Sequence, residues 1–140
     1  MANVRWFNEG LRQIDDSGWP TNVYAVLTTK TCDQFADSDT LVTGVSMLSE
    51  ITGTGYDRKQ LAKPASTGRG QRVWPNAVWS TGVAVNWQNP PAFLFISVAS
   101  GTAGIAFFVA NLNDGGAAVT MNQAGVTLTV PVTTNYPATV

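Results

Sequence analysis

The chain has 140 residues, of which 44% are hydrophobic and only 12% charged, and this composition excludes an intrinsically disordered protein. Its net charge of −1 gives no overall attraction to nucleic acid, so no nucleic-acid partner is expected. Cys32 is the only cysteine, which excludes an intrachain disulfide. Every apolar stretch is far shorter than the ~20 residues of a membrane-spanning helix. We therefore expect no membrane partner and a chain that is made in the cytoplasm.

One short helix is predicted at the start of the chain, over residues 3–15. Apolar residues recur there at the spacing of one helix face: Val4, Phe7, Leu11 and Ile14. Asn3 is a suitable N-cap. An Asp-Asp-Ser-Gly sequence with a proline soon after it predicts the end of the helix.

Strand patterns dominate the remainder of the chain, from residue 21 to residue 130. Strands are predicted over residues 21–29, 56–62, 79–87, 92–99, 105–112, 119–121 and 126–130. Residues 41–48 suit either a helical turn or a strand. Short strands with a turn every ~8–12 residues predict an all-β fold, an antiparallel β-sandwich or jelly roll with one short N-terminal helix.

Loops and a tail complete a predicted single domain over residues 1–140. Residues 31–40 and 64–70 are polar and predict loops. The last two strands are expected to pair as a hairpin, and Pro131 is expected to end the second of them. Residues 131–140 carry no charge and are predicted to be an extended tail.

The absence of histidine removes the commonest general base and the commonest zinc ligand. A metal site would need carboxylates alone. Asp33, Asp37 and Asp39 have a spacing like that of calcium ligands, but the glycine and glutamate of a calcium loop are missing, which favours a solvated acidic loop. We expect no enzyme, no catalytic residue, no metal and no cofactor.

A Gly-rich turn in the middle of the chain is flanked by polar side chains that suit a structural role. The residues of this predicted structural turn are Glu50, Gly53, Gly55, Tyr56 and Arg58. No partner for acid–base chemistry lies beside them in the sequence. We expect the carboxylate and the guanidinium to bond around the turn and to support folding or assembly.

This Glu-x-x-Gly-x-Gly-Tyr-x-Arg segment, from Glu50 to Arg58, resembles a group of small bacteriophage virion proteins. The likeness extends over residues 3–130, with a short helix and a Val-Tyr-Ala-Val-Leu strand before the segment and a Val-Thr-Leu-Thr-Val strand near the end. The chain departs from the group at residues 64–74 and at its Asn-Pro-Pro sequence, residues 89–91, and these departures leave the docking surface open.

The resemblance implies a jelly-roll cement or decoration protein on the capsid surface of a virion. Such a protein binds the major capsid protein and clamps neighbouring capsomers, as a homo-dimer or homo-trimer. Members of the group also carry the label tail fibre, so a tail-fibre or receptor-binding module is the alternative.

Charged loops are the predicted attachment points to other subunits. The candidate interface residues are Asp33, Asp37, Asp39, Arg69, Arg72 and Trp74. A merely solvated loop is the alternative for the basic residues. The five tryptophans of the chain predict core anchors first, an interface second and a carbohydrate-stacking platform third.

Overall fold

Two antiparallel sheets and one α-helix make up the part of the chain that the computed structural model describes, namely residues 3–40, 49–68, 70–101 and 104–135. In chain order the elements are β1 (Val4–Trp6), α1 (Asn8–Ser17), β2 (Asn22–Thr28), β3 (Lys59–Ala62), β4 (Ser66–Gly68), β5 (Gln71–Ser80), β6 (Ala92–Ile96), β7 (Ala106–Asn111) and β8 (Thr127–Asn135).

The strands form a five-stranded sheet in the order β1-β7-β6-β2-β3 and a three-stranded sheet in the order β4-β5-β8. All the pairings are antiparallel. The prediction of an all-β antiparallel sandwich with one short helix is confirmed. The finer jelly-roll topology stays a prediction.

The larger sheet is buried on both of its faces along its central strand β6, where all five residues are apolar and buried. Along β2, Val23, Ala25 and Leu27 face the core between the sheets, as the alternating pattern predicts. The opposite face of the same sheet packs in a second cluster with Phe7 and Phe35, whose rings meet edge to face at 5.9 Å. A layer of chain outside the five-stranded sheet therefore covers it.

The predicted N-terminal helix begins later than expected, because Val4–Trp6 forms strand β1 instead. β1 pairs with β7, with Val4 opposite Ala110 and Trp6 opposite Phe108. The edge of β7 offers backbone partners to a Val-Arg-Trp segment that has high β-propensity. Phe7 is the N-cap, so the predicted cap at Asn3 is wrong; the helix ends at Ser17, with Gly18 as its C-cap.

The predicted strand over residues 79–87 is also wrong, because β5 ends at Ser80. Gly82 adopts a positive φ of 57°, which turns the chain. The side chain of Val83 beyond it is 96% exposed. The alternation of apolar residues here matches a strand, but the glycine prevents its continuation.

The C-terminal hairpin prediction chose the wrong partner for the last strand. β8 pairs with β5, over a register from Gln71 opposite Asn135 to Ser80 opposite Thr127. Residues 119–121 are not a strand, and the backbone N–H of Met121 donates to the side chain of Asn89. Alternating residues specify a strand and its buried face, but they do not specify which strand lies beside it.

Pro131 lies inside β8 and does not end it. The register between β5 and β8 shifts where Trp74 and Ala77 face Val132 and Val130, so that residues 75 and 76 oppose one residue, Pro131. Such a bulge accommodates a residue without a backbone donor. The predicted tail therefore begins as a strand, and its residues 136–140 lie outside the described residues.

Two further elements differ from the sequence predictions, and one prediction falls outside the described residues. β3 begins at Lys59, and the side chains of Tyr56 and Arg58 before it bond to Glu50. The predicted loop over residues 64–70 contains β4. The ambiguous segment 41–48 lies outside the described residues.

Helix α1 approaches β7 so closely that Gly10 should resist even a methyl group. A Cβ at Gly10 would lie 2.5 Å from the Cα of Phe107 and 2.6 Å from the carbonyl oxygen of Ala106. In an exposed helix Gly→Ala stabilises by about 1 kcal/mol. We expect Gly10→Ala to lower the free energy of unfolding in urea by about 1–3 kcal/mol instead. Ser17→Ala, at an exposed position of the same helix, is the control, and a more stable Gly10→Ala protein would contradict the close packing.

Candidate functional site

The segment that begins at Ser49 lies beside the end of β2 and brings the predicted structural turn onto the sandwich. The backbone N–H of Thr29 donates to the carbonyl of Ser49 at 2.9 Å, and that of Ile51 donates to the carbonyl of Leu27 at 3.1 Å. The turn itself closes where the N–H of Tyr56 donates to the carbonyl of Gly53 at 3.1 Å.

Glu50, Tyr56 and Arg58 meet in one hydrogen-bonded group, which we name the Glu50 cluster. Arg58 Nη2 lies 2.9 Å from Glu50 Oε1, and its Nε lies 3.1 Å from Oε2. The Tyr56 hydroxyl donates to Glu50 Oε2 at 2.8 Å and accepts from the backbone N–H of Leu27 at 3.1 Å. The Arg58 side chain is only 8% exposed, so this ion pair is largely removed from water.

Arg58 also reaches a second loop, the one that follows β6. Its Nη1 donates to the carbonyl of Val98 at 3.3 Å, and its Nη2 donates to the carbonyl of Gly101 at 3.0 Å. The guanidinium therefore joins the turn to the β6–β7 connection. Its planar arrangement of donors suits this combination of a carboxylate and carbonyls.

The two glycines of the turn are required for different physical reasons. Gly55 has a φ of 82°, which favours glycine. A Cβ at Gly53 would lie 2.6 Å from ring atoms of Trp87, so only glycine permits the approach. The Trp87 indole N–H donates to the carbonyl of Thr54 at 2.7 Å, which ties the turn to the segment after β5.

The Glu50 cluster has the chemistry of an anchor. Burial, followed by the charge of Glu50, raises the pKa of the Tyr56 hydroxyl far above its usual range, so the phenol stays protonated and donates its hydrogen bond. The carboxylate accepts from both the phenol and the guanidinium. The arrangement joins three separate parts of the chain.

Two of the three acidic residues predicted as an interface have bonding partners within the molecule. Asp37 forms an ion pair with Arg5, and the carboxylate of Asp39 accepts from the backbone N–H of Ala36 at 2.8 Å. Asp33 is exposed. Within the described part of the chain, no group of three or more His, Cys, Asp or Glu could hold a metal ion.

One of the two basic interface candidates lies in the described part of the chain. Arg72 lies at the start of β5 and donates to the carbonyl of Pro64 at 2.7 Å. Arg69 lies outside the described residues. The placement of Trp74 at a surface is wrong, because its side chain is buried and its indole N–H donates to Thr134 Oγ1 at 2.9 Å. Its ring packs between those of Trp19 and Phe95, at 5.3 and 5.0 Å.

The tryptophans lie mainly in the interior, which is the first of the three sequence interpretations. Those that are buried are Trp19, Trp74, Trp79 and Trp87. Trp6 is half-buried and packs on Phe108 with ring centroids 4.9 Å apart.

Among the residues whose side chains are described, the outer side of the three-stranded sheet carries a surface without charge, and we name it the uncharged face. It consists of exposed residues that alternate with the buried ones along β5 and β8: Val73, Val78, Ser80, Thr127, Thr129, Pro131 and Thr133. Cross-strand partners place them side by side, with Val73 opposite Thr133 and Val78 opposite Thr129. The valines and the proline give this face an apolar component, and its threonine and serine hydroxyls are hydrogen-bonding groups.

The sequence contains a signal for this surface that the loop-based interpretation missed. Every charged residue except Asp114 lies before Val73. The strands that pair as β5 and β8 therefore come almost entirely from a part of the chain without charge. Charge distribution would have indicated a neutral sheet, although not which strands compose it.

Comparisons of the chain with protein-family models, with curated proteins and with solved structures find no match. No helix in the described ranges combines the length and apolar character that crossing a membrane requires.

The Glu50–Arg58 pair should contribute far more to stability than the exposed pair on α1. Glu50→Gln leaves a largely buried guanidinium without its counter-charge, so we expect the free energy of unfolding to fall by about 2–3 kcal/mol. Arg58→Lys should also destabilise, because a lysine lacks the forked donors. Glu9→Gln breaks the exposed pair with Arg12 and is the matched control, with no measurable change expected. Equal effects of Glu50→Gln and Glu9→Gln in urea unfolding would contradict the anchoring role.

We expect Tyr56 to lower the free energy of unfolding as the pH becomes alkaline. The folded chain holds the phenol proton above the ordinary pKa of 10, whereas the unfolded chain releases it. The stabilisation that comes from the raised pKa of Tyr56 is fully present below pH 10. It is lost as the pH rises above 10, by up to about 1.4 kcal/mol per pH unit. Tyr56→Phe should lower stability at pH 7 and show a flatter decline above pH ~10. Tyr24→Phe controls for the loss of one phenol, and equal slopes in the two variants would count against the account.

Proposed function

We propose that the chain is a structural subunit of a bacteriophage particle, a cement or decoration protein that binds the outside of the shell. Its docking surface is the uncharged face, and its partner is the major capsid protein. The single observation that carries the proposal is that face, an exposed sheet surface of valine, threonine, serine and proline. The likeness of the segment from Glu50 to Arg58 to small virion proteins supplies the kind of particle.

An uncharged surface suits a subunit that must stay bound to a large assembly. Burial of a charged group costs several kcal/mol unless it finds a partner, whereas valine methyl groups gain from burial. Threonine and serine hydroxyls donate and accept hydrogen bonds, so they satisfy polar groups on a partner. A contact of this kind depends little on salt, because ions screen only charged groups.

The strands of the uncharged face are packed on the core, and a surface that is ordered before binding lowers the entropy that binding costs. Directly beneath it, Trp74, Trp79 and Val130 are buried in the core between the sheets. Many copies on one shell would act together, so that a modest affinity of each copy suffices. Such an array clamps neighbouring capsomers without any chemical reaction.

A tail-fibre or receptor-binding module is the second candidate. Glycan binding by stacking requires an aromatic ring with an open face. Four of the tryptophans are buried, and Trp6 is half-buried against Phe108, which favours the shell subunit over a tryptophan-based glycan platform.

Lysine substitutions on the uncharged face test the proposed docking. Val73→Lys and Val78→Lys should weaken co-sedimentation with shells that are assembled from the major capsid protein alone. We expect at least a tenfold rise in the dissociation constant, about 1.4 kcal/mol, because each lysine would be desolvated without a partner.

Val4→Lys is the matched control, because Val4 is an equally exposed valine on a strand of the other sheet. Val4 is 48% exposed and Val73 is 49% exposed. The control should bind shells as the unsubstituted chain does. Full shell binding by both Val73→Lys and Val78→Lys would contradict docking through the uncharged face.

A further inference from the structure

The turn that follows β7 carries a pair of residues whose chemistry the proposed function does not use. Among the aspartates of the chain, Asp114 alone is followed by glycine. Asp114–Gly116 is a short 3₁₀ turn, in which Asp114 and Gly115 are both exposed. Gly115 has no side chain to shield its backbone nitrogen, and its φ of 80° is a conformation that glycine adopts readily. The carboxyl group of such an aspartate is open to attack by the nitrogen of the next residue.

The reaction is an isomerisation that needs only water. The backbone nitrogen of Gly115 bonds to the side-chain Cγ of Asp114 and gives up its hydrogen, while the protonated carboxyl group gives up its hydroxyl, so that one water leaves. The product is a succinimide ring. Water then adds to the main-chain carbonyl of this ring and the bond from that carbon to the nitrogen breaks, which leaves isoaspartate. Addition of water to the other carbonyl restores aspartate.

The side chain of Asn3 binds both reacting groups, and we name this arrangement the Asn3 clamp. Its Nδ2 donates to Oδ1 of Asp114 at 2.6 Å, and its Oδ1 accepts from the backbone N–H of Gly115 at 3.2 Å. Before the ring can close, the nitrogen must lose the proton that the second bond holds, and the carboxyl group must turn away from Asn3. A hydrogen bond to a carboxylate is stronger than one between neutral groups, so both movements are opposed.

Asn3 is itself fixed, because it continues the pairing of β1 with β7. Its carbonyl accepts from the backbone N–H of Asn111 at 2.8 Å, and its Oδ1 also accepts from Nδ2 of Asn111 at 3.3 Å. Oδ1 of Asn111 accepts in turn from the backbone N–H of the buried Cys32 at 2.9 Å. The Asn3 clamp therefore depends on β1 lying along the edge of β7.

We propose that Asp114 is a site of spontaneous isomerisation, that the Asn3 clamp restrains this reaction, and that the isoaspartate form releases β1. Isomerisation adds a methylene group to the main chain and moves the carboxylate, so neither bond to Asn3 keeps its geometry. β1 spans only Val4–Trp6, and a strand this short has few other bonds to hold it. The modification thus uncouples the N-terminal edge of the five-stranded sheet.

This site is separate from shell docking, because Asn3, Asp114 and Gly115 lie outside the uncharged face. Incubation of the full chain at mildly acidic pH, where part of an aspartate population is protonated, tests the restraint. Isoaspartate is measured in the peptide that contains Asp114, as altered chromatographic retention without a change in mass and as acceptance of a methyl group from a methyltransferase specific for isoaspartate. We expect Asn3→Ala to form isoaspartate at least about tenfold faster than the unsubstituted chain, which corresponds to about 1.4 kcal/mol.

Asn113→Ala is the matched control, because it removes a hydrogen bond of the same turn that involves neither reacting group. The Nδ2 of Asn113 donates to the carbonyl of Ala117 at 2.9 Å. This variant should isomerise as the unsubstituted chain does. Asp114→Glu cannot form the succinimide ring and should give no product in the same peptide. The chain unfolded in urea gives the unrestrained rate, and circular dichroism of each variant confirms that it folds.

Hydrogen exchange measured by mass spectrometry tests the release of β1. The isoaspartate form is separated from the unmodified chain by chromatography. Its peptide that contains Val4–Trp6 should exchange amide hydrogens at least about tenfold faster than the same peptide of the unmodified chain. Exchange in Ala92–Ile96, which is buried at the centre of the sheet, should stay unchanged and so show that the remaining fold persists.

Four results would overturn the proposal. Equal isoaspartate formation in Asn3→Ala and in the unsubstituted chain would remove the restraint, and equal acceleration by Asn113→Ala would assign it to the turn as a whole. Absence of isoaspartate at Asp114 even in the chain unfolded in urea would remove the site. Unchanged exchange of β1 in the isoaspartate form would refute the release. Shell binding by Val73→Lys bears only on the proposed function.

Discussion

The ion pair between Glu50 and Arg58 connects the turn segment beside the end of β2 to the loop that follows β6. Glu50 makes an isolated bridge to Thr28 at the end of β2, while Arg58 donates to the carbonyls of Val98 and Gly101. A largely buried ion pair gains little net stability over an apolar contact of the same shape, but removal of one partner is costly. The pair therefore acts mainly by specifying one arrangement of the loops around the end of β2.

This arrangement supports the core on which the uncharged face rests. Trp79 lies on the buried side of β5, and its indole N–H donates to the carbonyl of Asp57, within the same turn segment. Trp87, beyond the end of β5, packs edge to face on Tyr56 at 5.5 Å. The turn segment is thus connected to the C-terminal end of β5, which is one strand of the face, and to the segment that follows β5. A rigid face presents its side chains to a partner with little loss of entropy.

Local sequence patterns predicted much of the fold, because burial imposes them on each strand separately. The alternation of Val23, Ala25 and Leu27 specified β2 and its inner face, and the polar residues around Gly53 indicated a structural turn. Strand partners depend on contacts between distant residues, and for this reason the pairing of β8 with β5 was missed. At Val4–Trp6 the competition between a helix and a strand was decided by the available edge of β7.

The candidate site was harder to predict than the fold. The charged residues of the sequence predicted an interface in the loops. In the structure, however, Asp37, Asp39 and Arg72 form ion pairs or hydrogen bonds within the molecule. The uncharged face arises only when two strands from distant parts of the chain lie side by side, so its residues form no local motif. Trp74, on the buried side of β5, is conspicuous in the sequence but inaccessible in the structure.

The most direct measurement of the central claim is the copy number of the chain in purified particles, relative to the major capsid protein. Quantitative mass spectrometry with isotope-labelled peptides of both proteins gives this ratio. A shell subunit that docks through the uncharged face predicts a fixed ratio of the same order as the number of capsomer sites. A ratio that corresponds to only a few copies per particle, or the absence of the chain from particles, would contradict the account.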